Sequence, residues 1–534
     1  MSVTIRQATP ADALPWLELV LATLGEEHPT RQVYDLGWIQ SELDPAAGHE
    51  TWIAVGEGKI HASISILGPQ PTSENPVANL GRNLLHPDAY ANGAAEALIR
   101  KIILTTALLN RMTVARLLAS DNAQQVLFEQ LGFVCVGFQP LKHLHQAREE
   151  VLFYVKPPRE QLRDRLPISE SLPQISELAT AVLANLQIPA TLAVRDGVTG
   201  YPITTEITFL DGTPHDYESW RNHSRSANPP QEISGSFNWG FGFLRVSQTD
   251  PIRVLLGLRE QTVVAGLRYY FDDQDRCVRM VDAFTTDDLA MGAMLNHLAR
   301  LAQTKLNAAY VELDILITAP RLLKSAEQLG FIPVAYLPAF FFRDGQQTDV
   351  VKMVKLNLSY AVENTHLTTH ARAIVDIVHH TLQDLKMGVA IINLLRTLKM
   401  FEGLGDGELR KIARLFTQQL FRPGDKIFHR ADSGNEAYVV LRGQVSIYLD
   451  EDSPAIATVE QGQIFGELAF LDGAPRGAMA VATQASILLV MQRAAYTDLA
   501  QREPHLGMTV MKNIAVELSQ KLRQTNVVVA AQKP

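Results

Sequence analysis

The run Gln130-Leu131-Gly132-Phe133 recurs as Gln328-Leu329-Gly330-Phe331, a spacing of 328 − 130 = 198 residues. Each run follows a helix-patterned stretch, Asn122–Glu129 in one case and Pro320–Glu327 in the other, and each precedes an apolar strand. Upstream, Ala91-Asn92-Gly93-Ala94 matches Ala290-Met291-Gly292-Ala293 at nearly the same offset. Two matches in register, with the same order of expected elements, predict a duplicated α/β unit within the first 356 residues. At 534 residues the chain is too long for one core, and about three or four domains are expected.

Composition narrows the partners. Apolar residues make up 46% and charged residues 20% of the chain, as in a soluble globular protein. The net charge of −9 argues against nucleic acid, because phosphate binding wants a basic face. The two cysteines, Cys135 and Cys277, are far apart and build neither a disulfide framework nor a metal site. Met1-Ser2-Val3-Thr4-Ile5-Arg6 shows no basic n-region followed by an apolar core, and no run of ~18 apolar residues occurs. The expectation is a cytoplasmic protein of bacterial type, with no membrane and no metal.

From about residue 399 the pattern changes to short strands with Gly/Asp turns, closed by a helix from about Pro504 to Arg523. This spacing predicts a small antiparallel barrel or jelly roll with flanking helices. Within it, Phe465-Gly466-Glu467-Leu468-Ala469 is followed by Ala474-Pro475-Arg476-Gly477-Ala478. A guanidinium fork matches two phosphate oxygens and keeps its charge. Backbone N–H groups on a Gly-bearing turn add donors for the same anion. A carboxylate only accepts, which suits a sugar hydroxyl. The plainer alternative is a β-turn with a surface Arg–Glu pair.

In residues and spacing, this stretch resembles the phosphate-binding cassette of the cyclic nucleotide-binding (CNB) family, and the resemblance covers roughly residues 400–525. It implies that Arg476 would hold the cyclic phosphate and Glu467 the ribose 2′-hydroxyl, with backbone groups from Gly466, Leu468 and Ala478. Family members that prefer cyclic GMP often carry Thr after the cassette Arg. Gly477 stands there, which points to cyclic AMP (cAMP). Met508, Met511 and Ile514 of the last helix would lid the base, or else are core residues of an amphipathic helix. Catabolite-activator-type regulators carry a helix-turn-helix beyond such a helix. This chain reads on only to Pro534, so a DNA-binding regulator is not expected.

The N-terminal half resembles the GNAT acyltransferase family. Ile5-Arg6-Gln7-Ala8 with the following amphipathic run fits its first strand and helix, and Thr51–Val55 with Ile60–Ile64 fits its central hairpin. The segment Ala91-Asn92-Gly93-Ala94-Ala95, and then Asn122 with Gln130–Phe133, fall where that family binds acetyl-CoA. Two departures matter. Phe128 stands where many of these enzymes have a Tyr acid, and the strand around Leu80–Leu84 lacks a carboxylate base. In the second repeat Asp282 and Glu312 are the catalytic candidates, or else strand residues with Lys/Arg partners, while Asp287 and Asp288 crowd the phosphate position and Ala326 takes the Tyr position.

The fold class expected is therefore α+β and multidomain: GNAT-like units at 1–157 and 158–356, a helical linker at 357–399, and a CNB β-roll at 400–534. The linker carries Ile374, Ile377, Val378, Leu382, Leu385, Ile392 and Leu395 at helical spacing. It reads equally as a helix packed on a neighbour or as a relay or homodimer seam over 360–398. Its His366/His370 pair fits a solvated face better than a metal. The function expected is a cAMP-regulated N-acetyltransferase that passes acetyl from acetyl-CoA to a lysine or amine; in domain types the chain is similar to bacterial cAMP-regulated lysine acetyltransferases, though here the CNB block is C-terminal and the transferase unit doubled. The alternative is a non-catalytic cAMP sensor whose degenerate GNAT units act through protein contacts.

Overall fold

The computed structural model describes residues 3–67, 77–108, 111–144, 147–158, 162, 165–189, 192–195, 197–225, 252–343, 346–360 and 366–531. The chain divides into two compact units, Met1–His379 and His380–Pro534.

In the first unit, strands β1 (Thr4–Gln7), β2 (Glu50–Gly56), β3 (Lys59–Leu67), β4 (Val77–Leu85), β5 (Met112–Leu118), β6 (Val134–Leu144) and β7 (Arg148–Lys156) make one half. Strands β8 (Thr208–Gly212), β9 (Arg253–Arg259), β10 (Thr262–Asp272), β11 (Cys277–Thr285), β12 (Tyr310–Leu316), β13 (Ile332–Arg343) and β14 (Gln346–Leu356) make the other. Among the described residues they join in one 14-stranded sheet, ordered β1-β2-β3-β4-β5-β7-β6-β13-β14-β12-β11-β10-β9-β8. The order is palindromic, with β6 and β13 meeting in the middle. The helices are α1 (Ala13–Leu24), α2 (Leu36–Glu42), α3 (Pro87–Ala91), α4 (Ala94–Leu108), α5 (Asn122–Gln130), α6 (Pro173–Asn185), α7 (Pro214–Arg225), α8 (Ala290–Thr304) and α9 (Pro320–Gln328), with the start of α10 (Thr369–Thr397), whose later residues, from His380, are assigned to the second unit. Each half has one parallel pair, β4/β5 and β11/β12, and each pair is bridged by a helix, α4 and α8. A parallel pair needs such a crossover.

The 198-residue repeat extends to fine detail. Gly132 and Gly330 both end a helix with left-handed backbone, φ +83° and +84°. Leu141 and Ala339, again 198 apart, share φ +52° and +54°. Lys156 Nζ donates to the Leu131 carbonyl and Lys355 Nζ to the Leu329 carbonyl, both at 2.8 Å, so each half caps its helix C-terminus with the same cation. Helix α6 buries Gln174, Ile175, Leu178, Ala179 and Val182, and α10 buries Ile374, Val375, Val378, His379 and Leu382, the same pattern 200 residues on (374 − 174), so the repeat includes a closing helix. The upstream match is looser. Gly93 precedes α4 with φ +77°, whereas Gly292 lies inside α8.

The two halves meet where β6 crosses β13 at Gly137 and Ala335. A Cβ on Gly137 would lie 2.2 Å from Ala335 Cβ and 2.8 Å from the Val334 carbonyl, so only glycine fits. Beside this crossing Glu312 of β12 is fully buried. Gln139 and Lys142 of the first half reach it at 2.8 and 2.6 Å, and Arg279 and Lys352 of the second half at 2.9 and 3.5 Å. Burial alone would raise the Glu312 carboxyl, but Lys142, Arg279 and Lys352 outweigh it and hold its pKa well below the usual range.

In the second unit, β15 (Phe416–Phe421), β16 (Lys426–Phe428), β17 (Glu436–Arg442), β18 (Val445–Tyr448), β19 (Ala455–Val459), β20 (Ile464–Phe465), β21 (Met479–Ala482) and β22 (Ser486–Gln492) form two four-stranded sheets, β15-β22-β17-β20 and β16-β21-β18-β19. This antiparallel roll is flanked by α11 (Asp406–Ala413), α12 (Glu467–Asp472), α13 (Arg493–Arg502) and α14 (Pro504–Ala531). Val440, Val445, Ala480 and Leu488 fill the space between the sheets. Leu395, Met400, Leu409, Leu506 and Val510 form a second cluster under the helices. No helix among the described residues is long and apolar enough to cross a membrane.

The crossing of the halves yields a test. Gly137→Val forces a branched side chain into the Ala335 backbone, so it should destabilise the chain by about 1–3 kcal/mol or more, as overpacking does. Urea unfolding of the full-length variant measures this, and an unchanged midpoint would contradict the close approach.

Candidate functional site

Strand β20 turns into α12 at Gly466, which is left-handed at φ +75°. A Cβ there would be strained and would also sit 2.7 Å from Arg476 Nη1. The short helix ends at Gly473, also left-handed at φ +73°. Pro475 then leads Arg476 back beneath the turn. Arg476 is 3% exposed. Its Nη1 donates to the Gly466 carbonyl at 2.8 Å, and its Nη2 donates to the Glu436 carbonyl at 2.8 Å and the Glu436 carboxylate at 3.3 Å. The guanidinium lies 4.3 Å from the Phe428 ring centre and 5.6 Å from that of Tyr438. Such cation–π contacts are worth about 0.5–2 kcal/mol each. Tyr438 stacks in turn on Phe465 at 5.1 Å. Burial, and then the Glu436 charge, push the Tyr438 hydroxyl up to about 12. Arg476 Nε is buried and makes no hydrogen bond among the described residues.

A cavity of about 810 Å³ opens in front of this group, within the ~300–1,000 Å³ usual for ligand sites. Gly466, Glu467, Leu468, Arg476, Gly477 and Ala478, all named from the sequence, line it together. An acceptor, a cation and turn amides thus share one wall. Leu398, Met400, Leu449 and Ile456 supply an apolar wall. That wall differs from the sequence expectation for a lid. Met508 and Met511 are 71% and 43% exposed, and Ile514 is buried in the helical cluster. The reason is helical geometry: Leu506, Val510 and Ile514 form the buried face of α14, and Met508 and Met511 lie off it. Leu398 and Met400 were missed because nothing local marks the end of α10 as part of a cavity.

In the first unit, Asn92 Oδ1 accepts from the Ala94 amide at 2.9 Å and so caps α4. Ala91 and Gly93 are exposed, while Ala94 and Ala95 are buried. Asn122 Nδ2 donates to the His366 carbonyl at 3.0 Å. Strands β4 and β5 pair from Val77/Met112 to Leu80/Ala115 and then part. A cavity of about 150 Å³ lies in the gap, and Asn83, Leu85 and Leu118 are among its walls. In the second half the matching residues, Ala290 to Ala293, are packed. The Tyr201 and Pro202 carbonyls would lie 2.7 and 2.3 Å from a Gly292 Cβ, and the first turns of α8 are buried. Asp287 caps the Leu289 amide and pairs with Arg259, and Asp288 pairs with Arg321. Asp282 is 5% exposed and lies 3.1 Å from Arg221 and 3.3 Å from Arg268. Glu312 is the hub of the buried cluster described above. Phe128 is fully buried. His370 is mostly exposed and faces Glu129 at 3.4 Å.

Replacing Arg476 by Ala removes the cation from the cavity. Hydrogen bonds to charged groups contribute about 1.5–3 kcal/mol each, so Arg476→Ala should weaken cyclic-nucleotide binding by 100-fold or more, measured by calorimetry. Equal affinity of wild type and variant would show that the ligand does not use this group.

Residues 418–503 match the family model of the cyclic nucleotide-binding domain. A cyclic AMP receptor protein of Thermus thermophilus is 32% identical over 130 residues, which are 24% of this chain and 58% of that protein. A cAMP-dependent protein kinase regulatory subunit of Hypocrea atroviridis is 34% identical over 91 residues, 17% of this chain and 19% of its own length. A solved cyclic nucleotide-binding domain from Methylobacillus flagellatus is 23% identical, covering 28% of this chain and 86% of its own, with a TM-score of 0.26. The chain thus spans less than two thirds of these curated relatives. The match falls on the cassette, the buried Arg476 and the roll that carries them, and the chain therefore contains a C-terminal cyclic nucleotide-binding domain.

Proposed function

We propose that the chain is a cAMP-regulated N-acetyltransferase, in which cAMP held at Arg476 controls acetyl transfer from acetyl-CoA to a lysine or amine acceptor in the first unit. The observation that carries the input half is the buried Arg476 facing a cavity with Glu467 and the turn amides on the same wall. The transfer half is supported by the parting of β4 and β5 beside the exposed Gly93 turn, together with the GNAT resemblance of those segments. The named curated relatives are a cyclic AMP receptor protein and a cAMP-dependent protein kinase regulatory subunit, which supports cAMP as the ligand here.

The alternative is a sensor without catalysis, and Phe128 favours it, being buried where the resemblance places a proton donor. Acetyl transfer to lysine-bearing protein and small amines, assayed with and without cAMP, separates the two. The enzyme reading expects turnover that cAMP changes. A melting temperature raised by acetyl-CoA with no turnover on any acceptor would leave the sensor.

Ligand choice has its own test. A Cβ at Gly477 meets no atom within 4 Å, so a larger side chain fits. Gly477→Thr adds a hydroxyl toward the cavity and should improve cyclic GMP binding by about tenfold, the value of one net hydrogen bond. Competition binding reads the ratio of cyclic GMP to cAMP affinity, and an unchanged ratio would sink the assignment of base selection to this position.

A further inference from the structure

The closing segments of the two halves are exchanged, and one of the two exchanges leaves a gap. Tyr360 and residues 366–368, which lead into α10, lie on the first half. The Tyr360 hydroxyl donates to the Glu150 carboxylate, Asn122 Nδ2 donates to the His366 carbonyl at 3.0 Å, and the Thr368 amide donates to Gln125 Oε1 at 3.3 Å. Residues 165–172, which lead into α6, lie in turn on the second half. Arg165 holds the fully buried Asp349 carboxylate at 2.6 and 2.7 Å, and the Leu166 amide donates to the Gln347 carbonyl at 2.8 Å.

The three positions that seal the first seam carry different chemistry in the second half. Pro320 stands for Asn122, Leu323 for Gln125 and Thr348 for Glu150, each 198 residues on. Pro320 and Leu323 have no side-chain polar group to reach the segment. Between these residues and the 166–172 segment a cavity of about 360 Å³ remains, within the ~300–1,000 Å³ usual for ligand sites. Leu166, Ile168, Leu172, Ile317 and Leu323 give it an apolar wall. Thr348 also lines it, is 9% exposed, and makes no side-chain hydrogen bond among the described residues. The charged lining residues, Glu170 and Arg195, are exposed and face each other at 3.5 Å.

The segment that forms one wall is fixed on both sides. Besides the Arg165 and Leu166 bonds, the Ser169 carbonyl accepts from the Ala193 amide at 2.8 Å and the Ser171 carbonyl from the Arg195 amide at 2.9 Å. A wall held in this way does not collapse into the void, and the void forfeits contacts that a ligand would restore.

We propose that this cavity binds a small uncharged molecule with an apolar body and a single hydroxyl or carbonyl end. The body takes the apolar wall, and the polar end meets the Thr348 hydroxyl, which can both donate and accept. A charged end would leave water with no opposite charge free to meet it, which costs more than one hydrogen bond returns. The cavity shares no lining residue with the one beside β4 and β5 or with the one at Arg476. A molecule bound here rests on the exchanged segment of the first half and on β12, α9 and β14 of the second, so it holds that segment in place.

The test titrates 1-hexanol into the full chain with carbon-13-labelled isoleucine methyls. The Ile168 and Ile317 methyl resonances, assigned with Ile168→Val and Ile317→Val, should move together and saturate. Hexanoate and hexylammonium, with the same chain and a charged end, should bind at least tenfold more weakly. Thr348→Val keeps the side-chain shape and removes the hydroxyl, so hexanol should bind about fivefold more weakly, the value of one net hydrogen bond. Thr318→Trp, at an exposed lining position, should block the cavity and abolish the shifts. Resonances that stay in place up to the solubility limit of hexanol, or hexanoate binding as tightly as hexanol, would overturn the proposal, and both are read on wild type, so a variant that fails to fold leaves the test decisive. Equal hexanol affinity in Thr348→Val or Thr318→Trp, with the melting temperature retained, would overturn it as well.

Discussion

Glu312 can be fully buried because groups from both halves of the first unit close around it. Isolated in a low-dielectric interior, a carboxylate costs several kcal/mol, and pairing offsets this only when the geometry is good and the remaining lone pairs are engaged. Gln139 and Lys142 arrive from one half, and Arg279 and Lys352 from the other. A slip of β6 against β13 would pull Gln139 and Lys142 away and leave the charge undercompensated. The cluster therefore fixes the register of the crossing more than it adds stability. The consequence reaches further than the joint itself. The β10–β11 turn that carries Asp275 docks beside His143 only when the halves meet in this register.

The same logic governs the second unit with the sign reversed. Arg476 is a buried cation resting on Phe428 and bound to two backbone carbonyls and the Glu436 carboxylate. Those bonds hold the fork in place before any ligand arrives, which reduces the ordering that binding would otherwise require. The difference between the two charges is what remains. Gln139, Lys142 and Arg279 are turned inward on Glu312, and Lys352 is shared between it and Asp314, whereas Arg476 lines a cavity.

The cassette was legible in the sequence because its chemistry is local. Gly466, Glu467 and Arg476 lie on the short helix α12 and the turns at its two ends, so spacing alone brings them together. The repeat was legible for a similar reason, since Gly132 and Gly330 punctuate the same helix-to-strand junction. The closing helix was half hidden, because α6 and the start of α10 share a pattern of burial rather than a run of identical residues. What could not be read was the meeting of the halves. Nothing near Gly137 says that Ala335 will lie against it, and nothing near His143 says that Asp275 will reach it from 132 positions on (275 − 143). Likewise Asp282 and Glu312 stood out as carboxylates on strands, while the cations that engage them come from Arg221, Arg268, Lys142, Arg279 and Lys352, scattered over the chain.

Helix α10 is where the two signals of the sequence join. Its first turns are the second copy of α6, and its later residues have no counterpart in the first repeat. Its last residue, Thr397, and the following Leu398 and Met400 line the nucleotide cavity, and Leu395, Leu398 and Met400 also belong to the cluster built on α14. A ligand in the cavity would therefore lie against Thr397, Leu398 and Met400. Contact alone shifts nothing, since a ligand biases an equilibrium only through its differential affinity for the two states. Inverting a 1:99 population takes about 5.5 kcal/mol. Leu449, Ile456 and Leu468 stand 46%, 55% and 60% exposed around the same cavity. At roughly 25 cal/mol per Å² of apolar surface, about 220 Å² newly covered in the bound state alone would supply that difference. The exposed apolar residues at the cavity, rather than the already satisfied Arg476 contacts, are thus the source from which a switch would draw its free energy.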